Sequence, residues 1–190
     1  MSDLTNRLNL ILDRVTSDEF LSGRGLGNEI PFYAFDYPAD QELLVREHVR
    51  FLEQQIPKKR PDISLLSIHL FELLVQTLKE RRLFDKAMEM QKNKGDDATL
   101  KALRSPLDAE KMAKALHVHM QTASPSLLFL TGIGAAFPLI RTHHLLNSLH
   151  PMMGSVPLVL FYPGQYDGHS LRLFGILTDR PYYRAFRLVD

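Results

Sequence analysis

The chain contains no cysteine, which excludes a disulfide framework, thiolate-bound zinc and a cysteine nucleophile together. It also lacks a charge bias. Lys and Arg number 23 against 22 Asp and Glu, a formal net charge of +1, so no global field draws the chain to nucleic acid and any DNA contact would be local, indirect or weak. No stretch is long and apolar enough for a spanning helix, and the polar, charged opening residues do not read as a signal peptide. These absences imply an intracellular, cytoplasmic protein without membrane contact. Internal repeats and low-complexity tracts are missing too.

Catalytic signatures are missing in the same way. There is no Gly-x-Ser-x-Gly elbow and no close acidic pair on one strand end. The Gly-bearing stretch from Thr131 to Pro138 carries no Lys, so it lacks the cation that a phosphate-binding P-loop requires and is at most a degenerate version of one. His143, His144 and His150 suggest a metal cluster, but neighbours on a helix diverge by about 100°, and no carboxylate shares their face. His117 and His119 point apart for the same reason. No catalytic residue, metal site or cofactor is expected.

What is present suits a covered core: 190 residues, 45% of them hydrophobic, enough for one domain. Residues 1–28 read as an amphipathic helix, with Leu4, Leu8, Ile11 and Leu12 at helical spacing, followed by a glycine-containing connector. Residues 31–37 are aromatic-rich and read as a strand, and Asp40 as the N-cap of a helix over 41–55 carrying Val45, Val49, Leu52 and Ile56 on one face. The basic residues 58–62 read as a solvated, helix-stopping loop. Residues 63–70 and 71–82 form a strand feeding a helix. Met88 and Met90 read as core gap-fillers, with a pliable partner surface as the alternative, residues 93–97 as a turn, and Ser105-Pro106-Leu107-Asp108 as a helix start capped by Ser105.

The most informative stretch is 127–162. Leu127-Leu128-Phe129-Leu130 is apolar on both faces, Thr131-Gly132-Ile133-Gly134 is a turn, 138–150 is helical, and 156–162 is again apolar. Strands buried on both faces belong to parallel sheets sandwiched by helices. The expected fold is therefore a single three-layer α/β domain over 1–190, with a mainly parallel sheet, helices on both faces and antiparallel edge strands at the C-terminus. Residues 163–168 read as a turn, and 169–177 and 182–189 as those edge strands. Ligands in such sheets bind at the carboxyl ends of strands. That edge gathers Asp36, Tyr37, His69, Thr131, Gly132, Gly134, Tyr162 and Gly164, with Asp167 brought near if the final turn folds back. Gly132, Gly134, Asp36 and Arg141, the last placed in the first turns of the 138–150 helix, are the candidate anion-binding residues. Tyr182, Tyr183, Arg184 and Arg187 are of the types enriched at interfaces and are the candidate partner-binding residues.

Several motifs carry a resemblance: Asn28-Glu29 ahead of Phe35-Asp36-Tyr37-Pro38, Thr131-Gly132-Ile133-Gly134 through Phe137-Pro138-Leu139-Ile140-Arg141, His143-His144-Leu145-Leu146-Asn147, Val159 through Gly168, and Tyr182-Tyr183-Arg184-Ala185-Phe186-Arg187. Together they resemble the BrxB family of the bacteriophage exclusion (BREX) defence systems, over essentially the whole chain and most densely from Leu127 onward. The resemblance implies a small component of a multi-protein machine that methylates host DNA and blocks phage replication. It implies no catalytic motif. It points to a scaffolding or adaptor subunit that binds other BREX proteins, PglZ directly and through it the methyltransferase PglX. The competing reading is a nucleotide- or nucleic-acid-binding regulatory subunit using the Gly132/Gly134 loop and Arg141.

Overall fold

A computed structural model of the chain describes residues 3–23, 31–178 and 185–189. Its elements in order are α1 (Asp3–Val15), α2 (Asp18–Ser22), β1 (Phe32–Tyr37), α3 (Glu42–Lys59), β2 (Leu65–His69), α4 (Leu70–Glu80), α5 (Phe84–Leu103), α6 (Ala109–Ala123), β3 (Leu127–Thr131), α7 (Ile133–Ala136), α8 (Thr142–Leu149), β4 (Leu158–Tyr166), β5 (Leu171–Leu173), β6 (Leu177–Thr178) and β7 (Ala185–Arg187). β2, β3, β4, β1 and β7 lie side by side in that order, every pair parallel. β5 and β6 add an antiparallel extension to the far end of β4. Among the described residues no helix is long and apolar enough to cross a membrane.

The α/β fold with helices on both faces is as the apolar patterning implies. Leu128, Leu130, Leu158 and Leu160 pack against α4, α6, α7 and α8 on one face. Leu127, Phe129, Val159 and Phe161, one residue out of phase, meet α1 and α3 on the other. Strand side chains alternate, so a strand with both phases apolar is a strand covered twice. α3 carries Val45, Val49, Leu52 and Ile56 to this second face. It is the crossover from β1 over β4 and β3 to β2, at the opposite border of the parallel set.

Several local expectations are corrected. A short 3-10 turn, Ala39–Gln41, holds Asp40, so α3 starts at Glu42 without a side-chain cap. Lys58 and Lys59 belong to the last turn of α3, where Lys59 pairs with Asp13 of α1, and Arg60 pairs with Asp18 of α2 at 2.9 Å and with Asp62 at 2.7 Å, so Lys59 and Arg60 tie α1 and α2 to the end of α3. The α6 cap is Asp108, accepting from the Lys111 amide at 2.9 Å, three residues later than Ser105. Both residue types cap well, and Lys111 Nζ, 2.5 Å from the Asp108 carboxylate, favours the acid. The turn expected over 93–97 is present as a break at Gly95, whose φ of 81 and ψ of 179 divide α5 into two arms.

The expected helix over 138–150 is interrupted. α7 ends at Ala136, Phe137 is extended, and α8 begins only at Thr142. Phe137 precedes Pro138, and a residue before proline is pushed out of the helical region. β4 instead runs through the expected turn as far as Tyr166, because the Tyr37 end of β1 pairs with Pro163 and Gly164-Gln165-Tyr166 pair with β5. β7 is parallel to β1 rather than an antiparallel edge strand. Alternation of Ala185, Phe186 and Arg187 specifies faces, and it reads the same in either direction.

Gly164 permits the β4–β5 contact. A Cβ there would stand 2.1 Å from the Arg172 carbonyl oxygen, a backbone atom that cannot swing away. Gly164→Ala is expected to break this pairing and to cost about 1–3 kcal/mol. The check is hydrogen exchange: the Phe174 amide, bonded to Pro163 O at 2.8 Å, should lose protection while the β3 amides keep theirs.

Candidate functional site

Where β1 leaves towards α3 on one face while β2 and β3 leave towards α4 and α7 on the other, a crevice of about 280 Å³ opens at the carboxyl ends of the strands. Divergence of exits is what makes such crevices in open α/β sheets. α3 covers Phe129 and Phe161 fully but leaves Ser67 exposed and His69 half-buried on β2. Its own side chains along the opening are Glu42, Arg46, Arg50 and Glu53.

These groups are partly pre-arranged. Buried Tyr37 donates its hydroxyl to Glu42 Oε2 at 2.6 Å, and Glu42 Oε1 pairs with Arg46 at 3.4 Å. Burial, reinforced by the Glu42 carboxylate, pushes the Tyr37 phenol well above its ordinary range, so it stays a neutral donor. His69 caps α4, its Nδ1 accepting from the Glu72 amide at 3.4 Å. A nitrogen that accepts carries no proton, so in the neutral ring the proton sits on Nε2. Gly132, at φ 69, lies directly against this ring. A Cβ there would fall 2.3 Å from His69 Cε1, so the His69 position requires glycine for space as well as conformation.

The four sequence-predicted anion residues do not share this place. Gly132 lines the crevice. Gly134 is instead the seat of Phe174, whose ring a Cβ would meet at 3.0 Å, with Pro163 equally close. Arg141 lies in extended backbone ahead of α8, its guanidinium 5.6 Å from the Phe137 ring centre, beside a separate narrow cleft that includes Leu173 and Leu177. Asp36 is buried and engaged. It accepts from Arg7 Nη2 at 2.8 Å and from the Tyr166 amide at 2.9 Å, its carbonyl accepts from Arg7 Nη1 at 2.9 Å, and Arg187 Nη1 stands 3.9 Å away. Arg187 also donates to the Tyr166 carbonyl. It therefore belongs to the fold as much as to the surface, while Tyr182, Tyr183 and Arg184 lie outside the described residues. Asp167 does not join Asp36 in a site. It closes a surface turn, accepting from the amides of His169 and Ser170 at 2.9 and 2.7 Å. His143 and His144 do approach each other, ring centres 4.0 Å apart, yet no metal-ligating cluster of three or more exists among the described residues.

Two features escaped the sequence reading. One is the crevice side of α3, where Arg46, Arg50 and Glu53 follow at helical spacing beside the Val45/Val49 stripe. The other is an apolar groove of about 470 Å³ between α4, the two arms of α5 and the Pro138-Leu139 loop. Leu74 and Leu78 lie deep in it, and Phe71 (37% exposed) and Met88 (52% exposed) stand at its rim. Met88 is thus a surface methionine rather than a core filler.

The family model described as "BREX protein BrxB" matches residues 66–188. The chain is 40% identical to BREX protein BrxB of Bacillus cereus (strain H3081.97) over 194 positions, covering all of both chains. It is 39% identical to BREX protein BrxB of Escherichia coli O9:H4 (strain HS) over 186 positions, 98% of this chain and 92% of that one. The chain belongs to the BrxB family. No solved structure matches it. The span of the BrxB model holds the whole apolar groove, whereas the α3 wall of the crevice precedes it and is covered by the two full-length BrxB relatives.

Removing the Asp36 carboxylate leaves Arg7 buried without its counter-ion. Asp36→Ala should lower unfolding free energy by roughly 3 kcal/mol, read as a lower denaturant midpoint at unchanged slope. A loss under about 0.5 kcal/mol would mean that the pair behaves like an exposed one. At Asp167 the hydrogen bonds from Ser170 and His169 hold the carboxyl at about 2. A lowered folded value means that the turn is fully supported above the ordinary carboxylate range and loses that support as pH falls. The His169 and Ser170 amide resonances should therefore titrate with a midpoint of about 2.

Proposed function

We propose that the chain serves BREX anti-phage defence as a non-catalytic scaffolding or adaptor subunit, binding PglZ directly and, through it, the methyltransferase PglX. The observation that carries this reading is the apolar groove beside α4 and α5. Monomeric proteins seldom leave Phe, Met and Leu side chains along one open channel unless a partner covers them, and methionine at a rim adapts to an incoming surface. The groove runs between helices, so the fitting occupant is an amphipathic helix. Asp96 and Asp97 are among the lining residues and no Lys or Arg is among the described ones, so the partner helix should carry an apolar ridge with a basic residue facing these two acids.

Membership of the BrxB family supports the system, and the groove supports the mode. The test is co-purification of tagged full-length chain with PglZ from cells carrying the complete operon. The wild type should capture PglZ. Phe71→Glu with Met88→Glu places charge in the channel at two exposed positions and should cut capture at least about tenfold, with thermal unfolding unchanged and phage protection lost. Failure of the wild type to associate with any BREX protein overturns the adaptor reading. Undiminished PglZ capture by the double variant overturns the groove as its site.

A further inference from the structure

The crevice at the carboxyl ends of β2 and β3 is separate from the groove, on the opposite face of the sheet, and its chemistry is different. Its cations come from one side of α3. Arg46 and Arg50 are one turn apart, and Arg46 is steadied by Glu42, itself held by the Tyr37 hydroxyl. Arg50 makes no ion pair among the described residues, so its guanidinium is left for something else. Guanidinium groups spaced in this way suit a phosphate or carboxylate, which accepts two parallel hydrogen bonds. His69 supplies an Nε2–H donor because its Nδ1 is committed to the Glu72 amide.

The acids of the crevice narrow the choice. Glu53, three residues beyond Arg50, and Glu72, in the first turn of α4, line the same opening. With Glu42 neutralised by Arg46, two carboxylates face one unpaired arginine, and a bare anion would be repelled as much as held. The fitting ligand carries an anionic group together with hydroxyl or amino donors that carboxylates accept. A ribose diol is such a group, and an acid beyond a strand end is the usual way an α/β sheet holds one. At about 280 Å³ the space is near the lower limit of ligand sites, which favours a mononucleotide over a dinucleotide or a nucleic-acid strand.

The geometry points to a nucleoside-monophosphate site: phosphate on Arg50 and His69, ribose hydroxyls on Glu53 or Glu72, and Gly132 as the space that lets His69 take its place. The role is binding, with no bond made or broken.

Isothermal titration of the full-length protein with adenosine 5′-monophosphate, adenosine and inorganic phosphate, at low and at physiological salt, tests it. The monophosphate should bind saturably and more tightly than either fragment, and weaken as salt rises. Arg50→Ala and Glu53→Gln should each weaken it about tenfold or more, with circular dichroism unchanged and PglZ capture retained. No binding at millimolar ligand and low salt overturns the proposal. So does equal affinity for phosphate and monophosphate, or insensitivity to either substitution.

Discussion

A single buried carboxylate holds the described ends of this chain to its centre. Asp36 sits on β1, and its partners come from α1 (Arg7), β4 (the Tyr166 amide) and β7 (Arg187). Around it, Arg7 lies 4.9 Å from the centre of the Phe35 ring, and the Tyr166 hydroxyl donates to the Ala185 carbonyl at 2.6 Å. A charge taken out of water is tolerated only when paired and hydrogen-bonded. Each of these contacts therefore constrains the others: α1 must lie across the end of β1, and β7 must run beside it. Burial of the hydrophobic faces is non-directional, whereas the contacts of Arg7 and Arg187 with Asp36 fix α1 and β7 at definite places.

With the terminal elements locked around Asp36, α3 is left to cross the sheet alone from β1 to β2, and its path divides the surface chemically. On its own face it roofs the aromatic centre around Phe129 and Phe161 and leaves the border strand β2 open, so polar and charged groups collect over Ser67 and His69. On the other face α4, α6, α7 and α8 close the core, and α5, bent at Gly95, stands outside them as an added hairpin with an apolar channel beneath it. One face thus offers a small polar recess and the other a long apolar groove. The polar recess and the apolar groove lie on opposite faces of the sheet.

Much of this was legible in particular residues. The two-phase apolar runs at Leu127-Leu128-Phe129-Leu130 and at Leu158-Val159-Leu160-Phe161 require a doubly covered parallel sheet, and the spacing of Val45, Val49, Leu52 and Ile56 requires a helix on it. The Pro163-Gly164 pair was misleading, since glycine serves a turn and a close backbone approach equally well, and only the position of the Arg172 carbonyl tells them apart. At Gly134 the missing side chain also makes room for Phe174, forty residues on, a contact that no local pattern announces. Arg141 looked helical because its neighbours are, while Pro138 broke the segment ahead of it.

By itself the sequence determined most of the elements though not their ends, the two-sided burial of the sheet and the family, because periodicity, turn chemistry and ordered motifs are properties of neighbouring residues. It could not decide which polar residues meet. Asp36 with Arg7, Tyr166 and Arg187, His69 with Gly132, and Arg50 beside the ends of β2 and β3 are encounters between residues tens of positions apart. Strand order and the diagonal of α3 created them. Side-chain pattern carries no information on strand order, and in a half-wet strand such as β7 none on direction, so only the tertiary structure turned a list of candidate residues into a buried charge hub, a polar crevice and an apolar groove.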